Sequence, residues 1–142
     1  MRKLALALIL ALLVAAVPTV SFTEDTAAVR LARTLYALAG NGSYETKLAL
    51  GSVVMNRVEH DLYPDTLSQV LSQAQQFPCG SRYDEDSLAA AHAVIAGKRT
   101  LPKNAVVFRS RDAASLPDDS LLCGESGNYL FYSADLHRPL DY

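Results

Sequence analysis

Bond-making chemistry needs nucleophiles, acids, bases or metal ligands at workable spacing, and this sequence offers few. Its three histidines, His60, His92 and His137, lie far apart with no metal-ligand spacing between them. His92 falls on a helical stretch and reads as a hydrogen-bonded packing residue, while His60 and His137 read as exposed. A nucleophilic serine or cysteine must have a positioned base, and no G-x-S-x-G elbow is present. The two cysteines, Cys79 and Cys123, each sit beside a glycine, in "PCGS" and "LCGES". In an oxidising compartment such an even pair points to a disulfide. Closing a loop of about 44 residues would stabilise the fold by about 4 kcal/mol on the chain-entropy account. Two unrelated thiols are the alternative, and metal binding lacks a second Cys/His pair at ligand spacing. The acidic runs Asp84-Glu85-Asp86 and Asp118-Asp119 read as solvated loop charge. No cofactor site is legible.

The elements that would position any site follow from periodicity. Leu31, Leu35 and Leu38 fall at i, i+4 and i+7, with Ala28, Ala32 and Ala39 as an adjoining stripe, so a first helix is predicted from about Thr26 to Gly40. Gly40-Asn41-Gly42 turns the chain. Ser43 can cap a second helix, with Glu45 favoured in its first turn by the helix dipole. Tyr44, Leu48, Gly51, Met55 and Val58 carry one apolar face along it. Asp65 or Thr66 caps a short third helix, "LSQVLSQ". The loop "AQQFPCGSRYDED" then resembles a binding loop more than a core segment, and a fourth helix spans about Asp86 to Ala96. Beyond Pro102 the period changes. "AVVFRS" and "NYLFYS" are β-branched and aromatic runs of strand length. Helices followed by a small antiparallel sheet near the C-terminus make the expected class α+β.

The chain opens Met1-Arg2-Lys3 and then runs uncharged from residue 4 to 17. A basic start and a short apolar run match an export signal, whose apolar region is typically ~7–15 residues. Cleavage after Ala16 or Ser21 is compatible, and an uncleaved N-terminal anchor is the alternative. The expected organisation is therefore residues 1–21 as signal or anchor and 22–142 as one domain, secreted or held in the cell envelope. Of 13 basic and 15 acidic residues, the first 21 hold only Arg2 and Lys3, leaving 11 against 15 and a net charge of −4. That balance argues against nucleic-acid binding through a basic face. Nothing in the sequence calls for an oligomer, and a monomer is expected.

"LARTLYALAGNGSYETKLALGSVVMNRV" resembles the opening of the bacterial SleB-type cell-wall hydrolases, the spore cortex-lytic enzymes and their relatives. Ala32, Arg33, Thr34, Tyr36, Ala37, Ala39, Tyr44, Glu45, Ala49, Val53, Val54, Asn56, Arg57 and Val58 match that family's pattern. Downstream, Tyr63, Pro64, Thr66, Val70, Gln76 and Phe77 resemble its second stretch, and "VVFRS" with "GNYLFYS" its terminal hairpin. The resemblance implies a lysozyme-like α+β domain acting on the glycan strands of peptidoglycan.

It also implies a catalytic glutamic acid at the end of the first helix, where this chain has Leu38, and a following glutamate where it has Gly42. A leucine can neither give nor take a proton, while with Leu31 and Leu35 it extends an apolar face. Glu45 is the nearest replacement acid, and its other reading is the dipole role above. Glu24, Asp25 and Glu125 have no motif behind them. Tyr36, Gln76, Phe77 and Tyr132 could line a sugar groove, and Asn56 and Arg57 read as braces of helix ends and loops. Two functions stay open at this level. One is a hydrolase with an atypical acid. The other is a non-catalytic relative that binds peptidoglycan and could regulate a partner hydrolase. A secreted domain serving protein–protein contact alone is a distant third.

Overall fold

The structure is a computed structural model and describes residues 26–135. The expected export segment, Glu24, Asp25 and His137 lie outside the described residues. Four helices precede a three-stranded sheet: α1 (Thr26–Ala39), α2 (Tyr44–Val58), α3 (Leu67–Leu71), α4 (Glu85–Ile95), β1 (Ala105–Ser110), β2 (Leu122–Ser126) and β3 (Tyr129–Ser133). The α+β class expected from the sequence is the one observed. Among the described residues no helix is long and apolar enough to cross a membrane.

α2 is the central element. Ser43 caps it by accepting a hydrogen bond from the Thr46 amide, and Thr66 caps α3 in the same way through Gln69. Nearly the whole circumference of α2 is buried from Thr46 to Val54, so its apolar stripe marks only one of the faces that pack. α1 and α4 lie against it, with Leu31, Leu35, Leu50, Val53, Val54 and Val94 fully buried between them. Gly51 lets α4 approach, because a Cβ there would meet the Val94 methyls at 3.1 Å.

The polar residues on α2 are buried with partners from distant segments. Lys47 is 1 % exposed, and its Nζ donates to both carboxylate oxygens of Asp84, at 2.9 and 3.2 Å. Asp84 in turn caps α4, accepting from the Ser87 amide and hydroxyl. Asp84 is thus not the solvated loop charge expected from the sequence, because it is the counter-ion of a buried lysine. The Ser87 hydroxyl, opposed by burial and reinforced by Lys47, lowers its pKa from 3.8 to about 2. A depressed carboxylate stabilises the fold fully above its unfolded pKa and loses that contribution as pH falls through the folded one. Thermal unfolding should therefore show this contribution intact at pH 5 and draining away between pH 4 and 2. Asp84→Asn should flatten that part of the profile.

The loop between α3 and α4 is pressed onto α1. Thr34 Oγ1 reaches the Pro78 carbonyl at 3.4 Å, and a Cβ at Gly80 would collide with the Arg33 carbonyl and approach Ala37 to 3.3 Å. Backbone cannot yield as a flexible side chain does, so Gly80→Ala should destabilise the domain by about 1–3 kcal/mol. A urea melt would read this as a lowered midpoint at unchanged slope.

β3 is the middle strand of the sheet, in the order β1-β3-β2, with both pairs antiparallel. β2 goes beyond the sequence expectation, which has strands only at "AVVFRS" and "NYLFYS". It carries the Cys123-Gly124 pair on an edge and is half-exposed throughout, so it lacks the alternation that marks a strand. His92 also departs from expectation. It is exposed, because the buried face of α4 runs through Ser87, Ala90, Ala91 and Val94. His60 is half-buried and lies edge-on to Tyr63.

Candidate functional site

Three segments meet at the end of α1. Gly40, with φ of +51°, stops the helix in the left-handed conformation that glycine adopts without strain. The chain then folds tightly, the Gly42 amide donating to the Ala39 carbonyl at 2.7 Å, before α2 begins at its Ser43 cap. The β2–β3 turn comes down on the same spot. Gly127 sits there at φ +55°, where a Cβ would lie 2.9 Å from Thr46 Oγ1.

Between these segments lies an open pocket of about 380 Å³. α1 contributes Leu38 and Ala39, the start of α2 contributes Gly42, Ser43 and Thr46, and the hairpin turn contributes Gly127, Asn128 and Tyr129. Leu38 is half-buried, packed on the core on one side and walling the pocket on the other. Tyr129 donates its hydroxyl to the Leu38 carbonyl at 2.5 Å, satisfying one of the orphan acceptors at the helix end. Burial pushes the Tyr129 phenol above its ordinary pKa. Two hydroxyls belong to its polar wall, Ser43 Oγ and Thr46 Oγ1, 3.1 Å apart, and Thr46 Oγ1 is bonded in turn to Ser126 Oγ at 3.0 Å, outside the lining. Among the described residues no carboxylate lines this pocket.

The residues singled out from the sequence fall in different places. Glu45 is exposed on the first turn of α2, outside the pocket lining. Glu125 is 63 % exposed and paired with Arg111 at 2.8 Å. Phe77 stacks on Phe108 with ring centres 5.7 Å apart, and Phe108 meets Tyr129 edge-on at 5.9 Å. Phe77 therefore reaches the pocket only through this row of rings. Gln76 accepts from the buried Arg57 at 3.1 Å. Arg57 also donates to the Val106 carbonyl at 2.7 Å and lies over the rings of Tyr63 and Phe77. Asn56 donates to the carbonyls of Pro102 and Ala105. Arg57 and Asn56 tie α2 to the sheet. Tyr36 stands apart from the pocket, with Lys47 and Arg82 near its ring.

Tyr132 is 1 % exposed and so lies in the interior rather than on a groove. The tyrosine of β3 that reaches the pocket is Tyr129, three residues earlier. "NYLFYS" holds both, and only the seating of the hairpin against α1 distinguishes them. The expected disulfide is not formed either. Cys79 is an exposed free thiol on the loop held against α1, and Cys123 is a half-buried free thiol on β2. Cys123 donates to the Leu121 carbonyl at 3.4 Å, and burial raises its pKa. Among the described residues no three or more histidines, cysteines or carboxylates gather where they could hold a metal ion.

The fold matches two solved structures. One is the catalytic domain of the SleB protein of Bacillus cereus, with a TM-score of 0.66 and 19 % identity over 75 % of this chain and 89 % of that one. The other is the catalytic domain of the germination-specific lytic transglycosylase SleB of Bacillus anthracis, with a TM-score of 0.67 and 18 % identity over 77 % and 95 %. No match was found among the curated proteins. At these identities the structural likeness establishes the fold, the lysozyme-like arrangement that the resemblance implied. A family model described as cell wall hydrolase matches residues 41–132, beginning just after Leu38. With most of its length matched by that model and the SleB fold beneath it, the chain belongs to the SleB-type cell wall hydrolase family.

Proposed function

We propose that this domain is exported, binds the glycan strands of peptidoglycan at the end of α1, and does not cleave them. The observation that carries the reading is the pocket wall. The position where the family resemblance calls for a proton donor holds Leu38, half-buried and facing open space.

Glycoside cleavage requires an acid to protonate the leaving oxygen, within hydrogen-bond reach of it. Among the described residues Tyr129 is the one ionisable side chain in the lining. Its proton is engaged on the Leu38 carbonyl, and burial makes the phenol a weaker acid still. Glu45 projects from a solvent-exposed turn, where its charge favours the N-terminus of α2. Glu125 is neutralised by Arg111. The remaining lining offers hydroxyls, an amide and apolar surface, which suits the binding of an uncharged sugar.

Co-sedimentation with purified sacculi tests the reading. The natural chain should pellet with the sacculi and be displaced by soluble glycan fragments, while turbidity stays constant. A chain that remains in the supernatant would refute glycan binding.

A further inference from the structure

Leu38 does more than remove an acid, because it leaves an apolar surface in a pocket that also holds the hydroxyls of Ser43 and Thr46. Leu38, Ala39 and the Tyr129 ring supply the apolar side. The polar side has the Ser43 and Thr46 hydroxyls, bonded to each other, with Thr46 bonded in turn to Ser126 outside the lining, and either atom of each pair able to donate. Such a chain can turn to offer a ligand a donor or an acceptor. The Asn128 amide is already held by Ser110 at 2.9 Å and by the Asp112 carboxylate at 3.2 Å, so that carboxylate is engaged behind the turn rather than in the lining.

We infer that Leu38 is a specificity-determining residue that seats the methyl of an N-acetylated amino sugar and rejects the corresponding free amine. This rests on the glycan-binding reading above and deepens it to one substituent. An acetamido group carries what the two walls ask for, a methyl for Leu38 and an N–H and a carbonyl for the hydroxyl chain. A protonated amine in the same place would lose water without meeting a carboxylate, which is costly. A glutamate at position 38 would narrow or reverse that preference, because the ammonium beside it would favour the ionised carboxylate and so gain a counter-charge.

The test titrates the full chain with tri-N-acetylchitotriose and with fully de-acetylated chitotriose, at a pH where the amines of the second are protonated. The acetylated trimer should bind on the order of tenfold more tightly or better. Leu38→Ala should weaken it by roughly three- to tenfold through lost apolar contact and leave the de-acetylated trimer unchanged. Leu38→Glu, checked for folding by circular dichroism, should narrow or invert the preference. Equal affinities, no binding of either trimer, or a preference that neither substitution moves would overturn the inference. Sacculi that are still bound in that event leave the broader reading standing. Trimer selectivity without binding to sacculi would overturn the broader reading alone.

Discussion

Leu38→Glu should give a chain that cleaves glycan where the natural one releases none, a positioned general acid being worth about 10²–10⁴-fold in rate. The site favours such an acid, because a carboxyl at position 38 would stand beside Ala39 and the Tyr129 ring with its back to the core. Partial desolvation raises a carboxylic pKa and keeps the proton available near neutral pH. Restoring the family's second glutamate should help less. A Cβ at Gly42 would lie 2.8 Å from the Ala39 carbonyl, to which the Gly42 amide is already bonded. The turn has closed around the missing side chain, so Leu38→Glu/Gly42→Glu should fold less stably than Leu38→Glu alone. Release of soluble fragments from sacculi, measured beside a thermal melt of each variant, checks both statements. A Leu38→Glu chain that is folded and bound yet still inert would show that more than the acid has been lost.

Asp84→Ala should destabilise the domain by about 3 kcal/mol, near the lower end for breaking a buried pair. It strands Lys47, which is 1 % exposed, and removes the cap of α4, a loss typically of about 1 kcal/mol. The Asp84 side chain is 37 % exposed, so water screens part of the attraction and holds the effect to the lower figure. The melting temperature should fall by roughly 10–15 °C. Replacing the lysine as well separates the causes. Lys47→Met/Asp84→Ser keeps a capping hydroxyl and removes the buried charge, so it should recover to within about 1 kcal/mol of the natural chain. If the double variant stays as unstable as Asp84→Ala, the loss lies in the cap or the loop rather than in the stranded charge.

The helices were legible because their signals are local. Leu31 and Leu35 repeat at helical spacing, and Ser43 and Thr66 precede their helices as caps should. The full burial of α2 was not legible. Thr46 and Lys47 look solvent-facing until Ser126 and Asp84 arrive from far along the chain to satisfy them, whereas Asn56 and Arg57, read as braces, do bond the carbonyls of Pro102, Ala105 and Val106. β2 was missed because an edge strand with a glycine at its centre carries no alternation. The pocket was half legible. Leu38 and its turn were found by pattern, whereas Asn128 and Tyr129 depend on the sheet, whose register slips in β2 between Leu122 and Gly124 and in β1 between Ala105 and Val107. A two-residue alternation cannot foresee those slips. The free state of Cys79 and Cys123 was likewise beyond the sequence, since an even count of cysteines says nothing of their distance.

The most direct test of the account is mass spectrometry of whatever the purified natural chain releases from sacculi when present in stoichiometric amount. Protein is expected on the sacculi with no soluble glycan fragments, however long the incubation. Muropeptides in the supernatant, lost on Glu45→Gln, would contradict it and place the proton donor on the first turn of α2.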